Sequence, residues 1–120
     1  MTQEEKELLL KDLCARLPYG VICDRLGKPK KLLGVYPTKK FPLEFDNGEY
    51  MPSNYELEDI KPYLRPMSSM TKEEGSELFL LSLSGNYIQI IEFYISHHLD
   101  YKCLIGKGLA LEAPEGMYKK

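Results

Sequence analysis

The chain has 120 residues, 43% hydrophobic and 28% charged, enough for one domain that buries roughly two-thirds of its unfolded surface without staples or metals. Its formal net charge of -2 argues against a dedicated nucleic-acid binder, which usually carries a basic surplus. Three cysteines, Cys14, Cys23 and Cys103, in no C-x-x-C spacing, argue against a disulfide framework and lead us to expect free thiols in a reducing cytoplasm.

The acidic, polar start Met1-Thr2-Gln3-Glu4-Glu5 has no apolar core of a secretion signal, and the longest apolar stretches fall short of a membrane span. Thr2 with Glu5 three positions on forms a capping box, so a first helix is expected over residues 1–18. Leu9, Leu10, Leu13, Cys14 and Leu17 supply its core-facing stripe. Pro18 and Gly20 end it.

Residues 19–69 read as short extended runs between turn signals. Strands are expected at 20–26, with Val21 and Cys23 on one face, at 31–36, and at 41–45, where Phe41, Leu43 and Phe45 alternate. Gly27-Lys28-Pro29 is expected to turn. Asp46-Asn47-Gly48 is the strongest hairpin signal, since Asn-Gly readily supplies positive φ. A less regular strand follows over 49–57, then a helical turn over 58–64 and an edge strand over 63–67. Several short strands in so few residues must bury one face and hide their edges. The expected fold is therefore α+β: an N-terminal helix, a small SH3-like antiparallel barrel or bent sheet, and a C-terminal helical unit.

The junction Pro62-Tyr63-Leu64-Arg65-Pro66 forbids helix, and Thr71 with Glu74 is a second capping box. A helix is expected from Thr71 to about Leu83, broken by Gly85-Asn86, and another over 87–99. The latter is apolar almost all round, with Gln89, Glu92 and Ser96 as its polar stripe, so it reads as a buried helix with one wet edge; a strand over 87–95 is the alternative, given its isoleucines and tyrosines. Asp100 is expected to cap a short third helix ending at Gly106. Residues 70–111 thus form the helical part, with Leu109-Ala110-Leu111 packing back, and 112–120 a frayed tail.

His97-His98-Leu99-Asp100-Tyr101-Lys102-Cys103 is the one cluster of catalytic-type or metal-type side chains. Consecutive helical residues point about 100° apart, so His97 and His98 do not share a metal as an H-x-x-x-H pair does. Helical spacing puts His98 beside Ile91 and Tyr94, a buried position, and Cys103 in an apolar turn that reads as core. A small hydrolase or metal protein centred on His97, His98 and Asp100 is the competing class; no catalytic residue, metal or cofactor is assigned.

Charge is segregated. Residues 25–40 hold Arg25, Lys28, Lys30, Lys31, Lys39 and Lys40 and no acid, whereas residues 44–59 hold Glu44, Asp46, Glu49, Glu56, Glu58 and Asp59 and no base. The candidate binding set is Lys28, Lys30, Lys31, Tyr36, Lys39 and Lys40, which suits weak, sequence-independent phosphate contacts. The alternative is that the two runs pair across the sheet.

Leu17-Pro18-Tyr19-Gly20, then Lys61-Pro62-Tyr63-Leu64-Arg65-Pro66-Met67-Ser68-Ser69-Met70-Thr71-Lys72-Glu73, then residues 97–111 from His97-His98 to Leu109-Ala110-Leu111 resemble a set of small uncharacterised proteins of gut bacteria and their phages. Their pattern is L-P-Y-G, K-P-x-L-R-P-x-S-x-x-T-x-E and H-H-F-D-Y-R-G-L-I-E-K-G-L-A-L. This chain has Lys102-Cys103 where the pattern has Arg-Gly, and Gly106 where it has Glu. The resemblance implies a phage or mobile-element setting in the bacterial cytoplasm and carries over no catalytic residue. The expected role is binding or assembly without catalysis; a protein partner or a second copy, and more weakly nucleic acid, are the partner classes, and no membrane is expected.

Overall fold

The computed structural model describes residues 2–25, 28–35, 43–46 and 60–118. The first helix, α1 (Gln3–Arg16), starts at the expected capping box: Thr2 Oγ1 accepts from Glu5 N at 3.1 Å, and Thr2 N donates to Glu5 Oε1 at 3.0 Å. Its buried residues are Leu9, Asp12, Leu13 and Arg16, which recur at the 3–4 spacing of one helix face. The expected apolar stripe is therefore rotated. Cys14 is exposed, and Leu10 and Leu17 only flank the core. Asp12 and Arg16 displace them because they enter as a pair, with Arg16 Nε donating to Asp12 Oδ2 at 2.8 Å and Nη2 to Leu99 O at 2.7 Å. After a 3-10 turn at Leu17–Tyr19, Gly20 takes φ +74, and a Cβ there would lie 3.4 Å from Lys31 Cε.

Among the described residues five strands follow: β1 (Ile22–Arg25), β2 (Lys28–Val35), β3 (Leu43–Asp46), β4 (Ile60–Leu64) and, near the end of the chain, β5 (Leu111–Glu112). They lie in the order β3-β2-β1-β4-β5, antiparallel except for the parallel pair β4–β5. The fold is α+β. The sheet has β3 and β5 at opposite edges and is not closed into a barrel among the described residues.

Two expectations fail here for a common reason, the weight given to proline. Pro29 lies within β2 opposite Asp24, because the strand begins at Lys28 paired with Arg25; Gly27-Lys28-Pro29 is not a three-residue turn. Pro62 lies within β4 opposite Cys23. Residues 60–64 are neither a helical turn nor an edge strand, since β4 has β1 on one side and β5 on the other. Proline withholds only its own N–H from a ladder, and the alternation of buried Ile60, Pro62 and Leu64 with half-exposed Lys61 and Tyr63 is an ordinary period-two strand. An extra residue in β2, between the pairs Leu32↔Phe45 and Gly34↔Glu44, leaves Leu32 buried and Leu33 exposed. The expected hairpin at Asp46-Asn47-Gly48 and the strand over 49–57 lie outside the described residues beyond Asp46.

The C-terminal part begins with α2 (Lys72–Ser84), which ends on Gly85 at φ +69, and α3 (Tyr87–Ser96), which Asn86 caps by accepting from Gln89 N at 3.2 Å. α3 stops three residues before the expected end because His98 adopts φ +61. No third helix follows. Residues 101–108 are turns, held by Asp100, whose Oδ1 accepts from Leu104 N at 2.7 Å and Oδ2 from Ile105 N at 2.9 Å. Cys103, expected in the core, is exposed and at φ +59.

Two apolar clusters result. Leu9, Leu13, Val21, Cys23, Leu32 and Ile60 fill the space between α1 and the sheet, where burial pushes the Cys23 thiol up to about 12. Leu64, Leu104, Leu109 and Ala110 form the second. The tail is not frayed up to Tyr118. That ring stacks on His98 at 3.6 Å between centroids, and its hydroxyl accepts from Ile22 N at 2.9 Å and donates to Tyr63 O at 2.6 Å. No helix among the described residues is long and apolar enough to cross a membrane.

Candidate docking surface

The junction between sheet and helices is built around one arginine. Arg65 follows β4 directly, and its backbone is tied to the end of α3: Arg65 N donates to His98 O at 2.7 Å, and Asp100 N donates to Arg65 O at 2.8 Å. Its guanidinium fork then makes five contacts. Nη2 and Nη1 donate to Glu74 Oε1 and Oε2 at 2.7 and 2.8 Å, Nη1 also to His97 O at 3.2 Å, Nη2 to Ser69 O at 3.0 Å, and Nε to Ser69 Oγ at 3.3 Å. The planar fork suits this bidentate geometry as a lysine would not.

Glu74 is also the third residue of α2, where its Oε1 accepts from Thr71 N at 2.8 Å and its backbone N donates to Thr71 Oγ1 at 3.1 Å. His97 Nδ1 lies 3.0 Å from Glu74 Oε2. The Arg65 guanidinium above all, helped by the Thr71 N–H, holds the Glu74 carboxyl down at about 2. One carboxylate thus joins the end of the sheet, the start of α2 and the end of α3.

The catalytic-type cluster is dispersed by this arrangement. His97 faces Glu74, His98 stacks on Tyr118, and both oxygens of Asp100 hold the following turn. His98 is buried as expected, at 9% exposure, with a left-handed backbone and the Tyr118 ring stacked on it. Among the described residues no three His, Cys, Asp or Glu side chains come together to hold a metal ion.

The basic set is only partly placed. Lys30 and Lys31 are consecutive in β2, so they point to opposite faces. Lys31 stands opposite Asp46 in the backbone register of β2 and β3, whereas Lys30 stands opposite Cys23 and Lys28 opposite Arg25. The side chain of Lys28, and Tyr36, Lys39 and Lys40, lie outside the described residues.

What the sequence reading missed is the far end of the hairpin. Residues 87–99 are expected to be a buried helix; instead α3 buries only Phe93 and Ile95, and α2 buries nothing. Eight large apolar side chains are exposed among the described residues, and six are here: Phe79 at 62%, Leu80 at 66%, Leu83 at 69%, Tyr87 at 78%, Ile88 at 71% and Ile91 at 42%. They recur at 3–4 spacing on each helix, an apolar stripe on either side of the Gly85-Asn86 turn. The spacing was legible in the sequence; the lack of anything packed over it was not.

The chain matches no family model, no curated protein and no solved structure.

Proposed function

We propose that this is a non-enzymatic binding or assembly protein that acts through the α2–α3 hairpin, in the phage or mobile-element setting its sequence resemblance implies. The observation that carries the reading is that a 13-residue helix containing Leu78, Phe79, Leu80, Leu81 and Leu83 has no buried residue. An exposed apolar area of this kind marks an interaction site more often than chance exposure does. The rigid clamp at Arg65, Glu74 and His97 supports the same reading, since it fixes the base of the hairpin to the sheet and leaves the apolar end projecting.

Binding of an uncharged apolar dye, Nile red, to the dilute full chain tests it. Bright, saturable fluorescence that Leu83→Glu together with Ile88→Glu abolishes, at unchanged circular dichroism, is the expected result. A native protein that leaves the dye dark while dilute and monomeric would mean the stripe is covered within the chain, and the docking reading would fall.

A further inference from the structure

We propose that the α2–α3 face docks a second copy of this chain, the two hairpins packing about a two-fold axis as a four-helix arrangement; this rests on the docking reading above and names its partner.

Area is the first argument. Large apolar side chains carry on the order of 150–200 Å² each, so the exposures of Phe79, Leu80, Leu83, Tyr87, Ile88 and Ile91 leave roughly 600–750 Å² open on one hairpin. That is at or above the ~300–600 Å² of the largest patch on a typical monomer. Two such faces would bury on the order of 1,300 Å², inside the ~1,200–2,000 Å² of specific, stable interfaces. No second apolar surface of comparable size is needed, because a two-fold contact uses the same patch twice.

Shape is the second argument. α2 and α3 are joined by two residues at one end, and Glu74 at the start of α2 meets His97 at the end of α3 at 3.0 Å, so the two run back along each other, and each offers apolar positions at 3–4 spacing. A two-fold axis across such a pair lays apolar stripe on apolar stripe, the geometry of a helix bundle.

Charge narrows the partner further. Residues 73–101 contain no lysine or arginine, while Glu73, Glu77 and Glu92 are exposed around the stripe. Anionic lipid surfaces and nucleic acid are attracted by basic residues and are disfavoured here. A copy-to-copy contact brings acids of both hairpins together at its rim. Its affinity therefore rises with salt, as screening weakens their repulsion. Contacts with a basic partner would weaken with salt instead.

The experiment is sedimentation equilibrium of the full chain, from low to high micromolar concentration, at low and high sodium chloride. The expected result is a mass that moves from 13.9 kDa to twice that value, with at least a twofold tighter dimer at high salt. Leu83→Glu with Ile88→Glu should stay monomeric, and the milder Phe79→Gln should weaken the dimer at least tenfold. Leu33→Glu, an exposed apolar position on the sheet, should leave the dimer unchanged. A single 13.9 kDa species throughout overturns the proposal. If that monomer still binds Nile red at the hairpin, docking survives with another partner; if it does not, both readings fall. A monomer that co-sediments with vesicles of neutral and anionic phospholipid would replace the second copy by a lipid surface. A dimer that Leu33→Glu breaks, or that the hairpin variants leave intact, also overturns it.

Discussion

The two longest helices of this protein invert the usual relation between composition and burial. α1 carries four acids and three bases, yet it buries an acid and a base completely. α2 carries five large apolar residues in six positions and buries none. The difference lies in what each helix has beside it. α1 lies on the sheet, where whatever occupies the 9-12-13-16 face is enclosed. α2 has α3 on one side and, among the described residues, nothing over the other. Charges that are enclosed must be paired, and apolar residues that are left open mark a place for something else.

The largest effect is expected at Arg16. Its pairing with Asp12 is enclosed but incomplete: Asp12 Oδ1 and Arg16 Nη1 have no hydrogen-bond partner among the described residues, and burial pushes the Asp12 carboxyl up against the opposing pull of Arg16. Arg16→Leu would strand a buried carboxylate and the Leu99 carbonyl. The expected cost is about 3–5 kcal/mol in urea unfolding. Asp12→Leu with Arg16→Leu should recover the part of that loss that comes from the stranded carboxylate, while the Leu99 carbonyl stays without its donor. A double variant as unstable as the single one would mean the pair is held for its geometry at Leu99, not for its mutual charge.

Glu74, which joins Arg65, Thr71 and His97, gives the next largest effect. Its carboxyl lies near 2, below the ordinary 4.5, chiefly because of Arg65. A depressed acid stabilises the fold fully above its unfolded value and loses that contribution as pH falls through its folded value. Glu74→Gln should therefore cost about 2–3 kcal/mol near neutral pH. The gap between native and variant should close between pH of about 5 and about 2. Asp12, shifted the opposite way, is present in both proteins and cancels in the difference. Urea midpoints across this range measure it.

The legibility of these features in the sequence follows the range of the interactions. Both capping boxes, the Gly85-Asn86 break and the start of α3 were readable because each is settled within four residues. The Asp12–Arg16 face was also present in the spacing, but an apolar template selects Cys14 over Arg16. Arg65, Glu74 and His97 meet from three elements, and no local pattern announces that. Left-handed backbone at His98 and Cys103 ended α3 early and turned an expected helix into turns; histidine is only enriched in that conformation, not committed to it, and at Cys103 the signal lay in the glycine of the resembled pattern. The exposed stripe was misread because apolar spacing shows which side of a helix avoids water and is silent on what covers it.

Cys103 offers a smaller effect of the same kind. It stands at φ +59, where the resembled pattern has glycine, and left-handed backbone costs a side-chain-bearing residue roughly 1–2 kcal/mol. Glycine there loses some of that gain through its freer unfolded state. Cys103→Gly should raise stability by about 0.5–1 kcal/mol and the melting temperature by a few degrees. Cys103→Ala, which keeps the Cβ, should do neither.

Truncating an enclosed residue of α1, as in Leu13→Ala, costs about 2–5 kcal/mol. Phe79→Gln on α2 removes a larger side chain, yet it should change the stability of the dilute protein by no more than about 0.5 kcal/mol, since a surface position leaves no cavity. The equality should fail as concentration rises. If two copies associate through the hairpin, mass action stabilises the native chain increasingly and the Phe79→Gln chain much less. Melting temperature against protein concentration should therefore slope upward for the native protein and run nearly flat for the variant, with the two lines meeting at the dilute end. Lines that stay apart on dilution would place Phe79 in the core of a single chain. Lines that coincide at every concentration would leave the stripe without a second copy to cover it.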